Sequence, residues 1–412
     1  MPLEQLYSEE NVPVLIYKET KTAPEQELKY SGPVITGFHQ KFIKALIWIN
    51  IFFLILKRFI SLPAAIKKIK KILHLRNLYR DNNTIIKYAK NSNRYFYSFN
   101  APGWPSKAFN RYITHQLYKL DDNDKYTGIH TLIFGITNKC GYKCEHCFEW
   151  KNLNRPESLT REELVSVITK FQDAHVSQVQ LSGGEPLNRL KDIFYILKNA
   201  KKGTDFWIYT SGYHLTNETA KNLKAQGLTG VAISLDHWDP YLHDLFRGKQ
   251  GAFDWVNAAA INAGNNGLAV CLSLCATKKF ITAYNLDRYA KLAKKLKVSF
   301  IQILEPKAVG HYEGTDVTID EEQIVLLEDF YNKMNYAVAY KNYPSVVYHG
   351  FYSRRVGCTG SAKDYLYVDM DGDAHACPFC QNKKFNVLTC NLPNELSKMK
   401  NNDCMVYPKS KW

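Results

Sequence analysis

The sequence lacks acid where its basic residues are densest. Residues 28–80 contain no Asp and no Glu but eleven Lys and Arg, among them Lys41, Lys44, Lys57, Arg58, Lys67, Lys68, Lys70 and Lys71. Most of the formal net charge of +15 therefore belongs to one segment of the 412-residue chain, and the rest is close to balanced. That distribution argues against a surface built throughout for nucleic acid, and no nucleic-acid partner is expected. A secretory leader is missing as well. Residues 1–28 are polar and partly acidic, without a basic start or an apolar core. A cytoplasmic location is expected, in which the ten cysteines stay reduced and serve metal or cluster binding before disulfides. Long hydrophobic runs are scarce too. The uncharged run Ala45–Leu56 has twelve residues. As a helix it reaches about 18 Å, against a hydrocarbon core of roughly 30 Å. It is too short to span a bilayer unless Lys44, Lys57 and Arg58 snorkel.

What is present suits a folded chain of two or three domains, with 45% hydrophobic and 23% charged residues. Residues 1–40 read as an irregular lead-in and 41–80 as a basic, apolar helical segment. In its second half Ile66, Ile69, Ile72 and Leu73 share one side with lysines opposite, and Pro63 suits the first turn. This pattern predicts a helix lying in a membrane interface, with peripheral attachment at the inner face of the membrane. The other reading is a helical hairpin packed on the rest of the protein. Residues 81–125 carry no assignable chemistry and read as a connector or cap.

From residue 130 a regular alternation begins. Strand-like runs fall at Thr131–Ile136, Ser177–Leu181, Phe206–Tyr209, Gly230–Leu235, Ala269–Ala276 and Phe300–Leu304. Helical patterns lie between them at Arg161–Ala174, Asp192–Lys201, Glu218–Ala225, Phe253–Asn265 and Leu286–Lys297, the first with a Thr160/Glu163 capping box. Serial βα units imply a parallel sheet with right-handed crossovers. The fold class expected is α/β: a partial (β/α)6 TIM-like barrel over 126–320, a helical N-terminal segment, a linking helix at 321–350, and a small Cys-rich α+β C-terminal extension at 351–412. Active sites of such barrels gather beyond the C-terminal strand ends. Three motifs fall there: Cys140, Cys144 and Cys147 after the first strand, "SGGEP" after the second, and "SLD" at 234–236. Cys271 and Cys275 share a face of the fifth strand and read as core.

Cys140, Cys144 and Cys147 bring three thiols onto one loop. A structural zinc site closes with four ligands, and a [4Fe–4S] cluster usually takes four cysteines. Three ligands leave one metal position open, where a ligand binds. The competing reading is zinc completed by His146 or a distant cysteine. "CGYKCEHCF" followed about 35 residues later by "SGGEP" closely resembles the radical S-adenosylmethionine (SAM) superfamily, with its Cys-x3-Cys-x-aromatic-Cys pattern; His146 stands in the aromatic slot. The resemblance implies a [4Fe–4S] cluster on Cys140, Cys144 and Cys147 that binds SAM and, once reduced, cleaves it to methionine and a hydrogen-abstracting 5′-deoxyadenosyl radical. It also implies a small electron-donor protein of the flavodoxin or ferredoxin type. Gly183, Gly184, Glu185 and Pro186 match the motif that holds the SAM amino group. Two glycines allow close backbone approach, and Glu185 offers a carboxylate. Ser234 and Asp236 match the ribose contact, and Arg247 matches an arginine often near the SAM carboxylate. "TSG" at 210–212 departs from the usual Thr-Asn-Gly, and Glu305 and Pro306 end the sixth strand toward adenine or substrate.

The tail holds a second set. "YLYVDMDGDAHAC" reads as strand, turn, strand and presents Cys377 beside Cys380. With Cys358, a glycine and Cys377 in order, it resembles the SPASM or twitch extension of many radical SAM enzymes. The resemblance implies one auxiliary [4Fe–4S] cluster on Cys358, Cys377 and Cys380, with Cys404 ahead of Cys390 as fourth ligand. Zinc is the rival, since four cysteines serve both. The function expected is a radical SAM enzyme acting on a peptide, protein or lipid-like substrate, with no catalytic side chain singled out. The alternative is a non-catalytic Fe–S or zinc protein bound to membrane or RNA.

Overall fold

The change from period 3.6 to period 2 along the chain becomes a change from helix to strand. The computed structural model describes residues 28–29, 32–59, 61–79, 83–119 and 128–399. The first elements are β1 (Val34–Thr36), α1 (Gly37–Phe59), α2 (Leu62–Tyr79), the hairpin β2 (Lys87–Asn91) and β3 (Arg94–Phe96), and α3 (Lys107–Lys119). Then come β4 (Thr131–Gly135), α4 (Arg161–Asp173), β5 (Gln178–Ser182), α5 (Leu190–Asn199), β6 (Asp205–Thr210), α6 (Asn217–Ala225) and β7 (Gly230–Ser234). They are followed by α7 (Pro240–Arg247), α8 (Ala252–Asn265), β8 (Ala269–Cys275), α9 (Ala283–Lys295) and β9 (Phe300–Leu304). All six predicted strands are present, and Thr160 and Glu163 form the expected capping box at α4.

The parallel sheet is longer than the alternation suggested. After α10 (Glu321–Tyr336), the stretch expected as a linking helix contains β10 (Ser345–Tyr348), which pairs parallel with β9. Next come α11 (His349–Val356), β11 (Tyr365–Val368), β12 (Asp373–His375), β13 (Phe385–Asn386) and α12 (Leu392–Met399). Strand β11 returns to pair parallel with β4, so the C-terminal extension joins the barrel sheet directly. The order is β10-β9-β8-β7-β6-β5-β4-β11-β12-β13, with β12 and β13 antiparallel and β10 unpaired with β11, which leaves the barrel open. Strand β10 has four residues, too few to show a period. The predicted hairpin is β11–β12.

Residues 83–119 close the N-terminal end of the barrel. Phe96 and Phe99 are buried among Trp207, Phe300 and Cys271, with Phe99 and Trp207 edge to face at 4.8 Å. Lys87 on β2 donates its Nζ to the carbonyls of Met334, Tyr340, Tyr343 and Pro344, where α10 ends, and burial pushes its ammonium down to about 7. Asp364 ties α3 to the extension through Lys119 at 2.5 Å, with the His115 and His130 rings beside it.

Helix α2 differs from the membrane expectation. Ile43, Ile47, Ile51 and Ile55 of α1 are buried against Ala65, Phe109, Ile113 and Leu117, and Ile69 and Ile72 of α2 pack on the same cluster. The isoleucines of α2 read as membrane-facing are thus largely used inside the protein, the hairpin alternative. Among the described residues no helix is long and apolar enough to cross a membrane.

Candidate active site

The sequence places three motifs on one rim, and the fold presses two of them together. The cysteine loop follows β4, and the Gly183–Pro186 loop follows β5, its parallel neighbour. Gly184 N donates to Thr137 O at 2.8 Å, and Glu185 N donates to Lys139 O at 2.8 Å. A Cβ on Gly183 (φ +124°) would stand 2.5 Å from Thr137 O, and one on Gly184 would stand 2.4 Å from Lys139 O. The glycines are required because another backbone, that of the cysteine loop, lies where a side chain would be.

Glu185 is 2% exposed. Its carboxylate accepts from Leu187 N (3.1 Å), Thr210 Oγ1 (2.7 Å), Ser211 N (2.7 Å) and Ser211 Oγ (2.6 Å). Burial raises the Glu185 carboxyl, and these donors pull it back. The "TSG" turn at 210–212 therefore acts as the support of Glu185. Two of its four acceptor sites are held by hydroxyls, which an incoming ammonium can replace. Pro186 opens a short 3-10 turn behind the loop.

Asp236 and Arg247 form a buried ion pair, with Nε 2.7 Å from Oδ2. Asp236 also accepts from Cys275 N at 2.9 Å. Burial works against its charge, yet Arg247 outweighs it and holds the carboxyl below the usual range. Arg247 Nη1 donates to Cys144 Sγ at 3.2 Å, and Nη2 has no hydrogen-bond partner among the described residues. One guanidinium thus joins the end of β7 to the cysteine loop and keeps a buried donor in reserve. Arg247 sits in the last turn of α7, a helix the alternation did not reveal, capped by Asp239. Ser234 ends β7, half-buried, on the cavity wall.

Burial pushes the Cys140 thiol up to about 11 and Cys147 up to about 12. Neither is a free nucleophile at neutral pH, whereas a bound metal removes a thiol proton outright. Among the described residues no three His, Cys, Asp or Glu groups converge on one ion. Cys140, Cys144 and Cys147 instead line an open cavity. Three thiols on one loop, beside the buried Arg247 guanidinium, suit an anionic metal centre such as an iron–sulfur cluster. His146, the suggested completing ligand for zinc, stacks on Phe246 with centroids 5.0 Å apart.

A further element was invisible in the sequence. After β9, Gly310 (φ +61°) lies so close to Cys147 O that a Cβ would be 2.3 Å away. His311 donates its backbone N–H to Cys147 O (2.9 Å), its ring Nδ1 lies 2.9 Å from Cys144 O, and it stacks on Trp150 at 3.9 Å. Only folding puts this turn on the cysteine loop, 163 positions after Cys147.

The second set is brought together in part. Cys377 and Cys380 pair through a backbone β-bridge, and the Cys377 thiol donates to Cys380 Sγ at 3.3 Å. That hydrogen bond holds the proton on Cys377 and raises its pKa, and it lowers that of Cys380 against its burial. Cys358 lies near enough to act on Cys377, and all three line the same cavity as the first set. Cys390 donates to Val387 O and packs on the barrel core. Cys404 lies outside the described residues. Cys271 is core as expected, while Cys275 reaches the cavity beside Asp236.

The cavity, about 1310 Å³, runs from the cysteine loop through the open side of the barrel to α1. An uncharged part of its floor centres on Gln302, which accepts from Tyr209 Oη and Ser273 Oγ at 3.1 Å each and meets His349 Nε2 at 3.1 Å. Burial pushes His349 down to about 4. Glu305, expected to face ligand, accepts from Tyr348 and Arg354 at 2.7 Å each, with Lys307 at 3.3 Å.

Residues 134–297 match the family model of the radical SAM superfamily. The chain is 27% identical over 265 residues to the mycofactocin maturase MftC of Mycolicibacterium smegmatis, covering 62% of this chain and 65% of that protein. It thus spans about two thirds of that curated relative. It is 33% identical over 150 residues to the Fe-coproporphyrin III synthase of Methanosarcina barkeri, covering 36% and 37% of the two chains. Among solved structures, Streptococcus suis SuiB bound to its precursor peptide SuiA superposes with TM-score 0.56 at 17% identity, over 84% of this chain and 80% of that one.

Proposed function

We propose, from the match of residues 134–297 to the radical SAM superfamily model, that the chain cleaves SAM at a [4Fe–4S] cluster and modifies a peptide substrate. One observation carries the reading. Cys140, Cys144 and Cys147 share a loop that the Gly183–Gly184 backbone clamps, with Arg247 donating to Cys144 and keeping Nη2 free for a carboxylate. The cluster, once bound, supplies the electron that breaks a SAM carbon–sulfur bond. This chain's residues do the rest. Glu185 presents a carboxylate to an ammonium, Arg247 Nη2 a donor to a carboxylate, and Ser234 and Asp236 lie on the wall between. Auxiliary thiols Cys358, Cys377 and Cys380 would hold a second cluster, with Cys404 as its fourth ligand. The electron comes from a flavodoxin- or ferredoxin-type protein.

The peptide is supported by the similarity to a maturase and by the likeness to SuiB, whose structure holds a precursor peptide. The uncharged floor around Gln302 suits backbone amides, while Arg247, Lys307 and Arg354 on the wall already face carboxylates. A triphosphate would find few unmatched cations there. Reconstituted anaerobically with iron and sulfide, then given dithionite and SAM, the protein is expected to release 5′-deoxyadenosine. Cys144→Ala is expected to release none while keeping the absorbance of the auxiliary cluster. A zinc-loaded protein with no turnover would refute the reading.

A further inference from the structure

Helix α1 has two apolar faces, and the fold uses one. Its buried face is the Ile43, Ile47, Ile51 and Ile55 row. On the opposite side Phe38, Phe42, Ile49 and Phe53 are 85%, 53%, 51% and 62% exposed. At ~100° per residue these four lie within about 60° of each other and form one stripe about 22 Å long. Single exposed apolar residues need no explanation, but a continuous row of large ones marks an interaction surface.

Its flanks identify the partner. Exposed Lys41 and Lys57 fall on opposite sides of the stripe, and neighbouring α2 exposes Ile66, Lys67 and Lys70. Neither helix contains an acidic residue. A second copy of the chain would bring two basic faces together, which like-charge repulsion opposes. An acidic protein would match the lysines yet leave three phenylalanines to find pockets. An anionic bilayer answers both requirements, with acyl chains under the aromatics and headgroup phosphates at the level of the lysines.

We propose that the outer face of α1 docks on the surface of an anionic lipid bilayer, with Phe38, Phe42, Ile49 and Phe53 inserted and the lysines among the headgroups. This face is distinct from the α2 isoleucines that the sequence pointed to, two of which pack inward. The inner face of α1 contributes Ile47, Trp48 and Ile51 to the wall of the large cavity, so docking sets that wall against the membrane. The inference stands independently of the chemistry in the cavity.

Flotation of the full chain with phosphatidylcholine vesicles, with and without one third phosphatidylglycerol, tests it. Binding to the anionic vesicles is expected to exceed binding to neutral ones at least ten-fold and to weaken several-fold in high salt. The triple variant Phe42→Ser, Ile49→Ser, Phe53→Ser is expected to lose the binding while keeping its melting temperature. Lys41→Gln and Lys57→Gln are each expected to cost on the order of five-fold on anionic vesicles only. Failure of the full chain to float overturns the proposal, as does flotation that the triple variant leaves unchanged. Flotation that appears only after removal of residues 1–27 makes that segment the occupant and also overturns it. So does self-association that the triple variant abolishes, which makes a second copy the occupant.

Discussion

At the scale of the residue, the site depends on atoms that are absent as much as on those present. Gly184 has room for no Cβ because Lys139 O is 2.4 Å from where it would be. Gly184→Ala must part the two loops, and a displacement of about 1 Å at a reacting centre costs on the order of a hundred-fold in rate. Release of 5′-deoxyadenosine is expected to fall by that amount.

Buried histidines give the protein a pH dependence whose sign follows from their environment. Burial pushes His130 and His243 down to about 3 each. Both are neutral in the folded protein at pH 7, while the unfolded chain titrates them near 6.5. Below 6.5 the unfolded chain binds protons that the folded one refuses, so stability falls with pH. The loss is about 2 kcal/mol per histidine by pH 5. The urea midpoint is expected to drop between pH 7 and 5, before carboxylates protonate, and His130→Gln is expected to flatten that slope. An unchanged slope would assign the effect elsewhere. These shifts were not legible in the sequence, because burial is a property of the packed chain.

At the scale of the element, period and capping made most of the barrel legible. Six strands appeared within a residue or two of expectation because each has five to seven residues between clear helical patterns. Strand β10 escaped because a four-residue segment shows no period, and β11, expected as one arm of a hairpin, hid only its parallel pairing with β4, a contact between distant segments. Helix α7 escaped because it has only eight residues and directly follows the "SLD" strand end. Helix α2 was read correctly as amphipathic but given the wrong neighbour. An apolar stripe faces lipid or protein for the same physical reason, and only α1 and α3 decide between them. Lys87 is another such case, a strand lysine in the stretch to which the sequence assigned no chemistry. Its Nζ serves four carbonyls at and beyond the end of α10. Lys87→Met leaves them unsatisfied, at a cost of about 1–3 kcal/mol. Amide exchange over residues 337–344 is expected to rise more than ten-fold, while exchange in β5 and β6 stays unchanged.

At the scale of the whole molecule, two cysteine sets more than 200 positions apart line one cavity, joined because β11 returns to β4. The two-cluster reading sets an iron count of about eight per chain after reconstitution, falling to about four in Cys377→Ala. Cys404→Ala is expected to behave like Cys377→Ala, whereas Cys390→Ala, whose sulfur lies on the barrel core, is expected to keep all the iron. Loss of iron in Cys390→Ala would reverse the ligand assignment.

The sequence by itself determined the chemistry-bearing motifs and the parallel α/β order, because both are written in local spacing: three thiols in eight residues, two glycines after a strand, and a repeating period. Tertiary structure decided what those motifs touch. It set Glu185 on Thr210 and Ser211, Arg247 between Asp236 and Cys144, His311 over the cysteine loop, and one of α1's two apolar faces toward the core. Each of these joins residues distant along the chain, and no local spacing records which distant partner will claim a donor, a carboxylate or an apolar stripe once the chain closes.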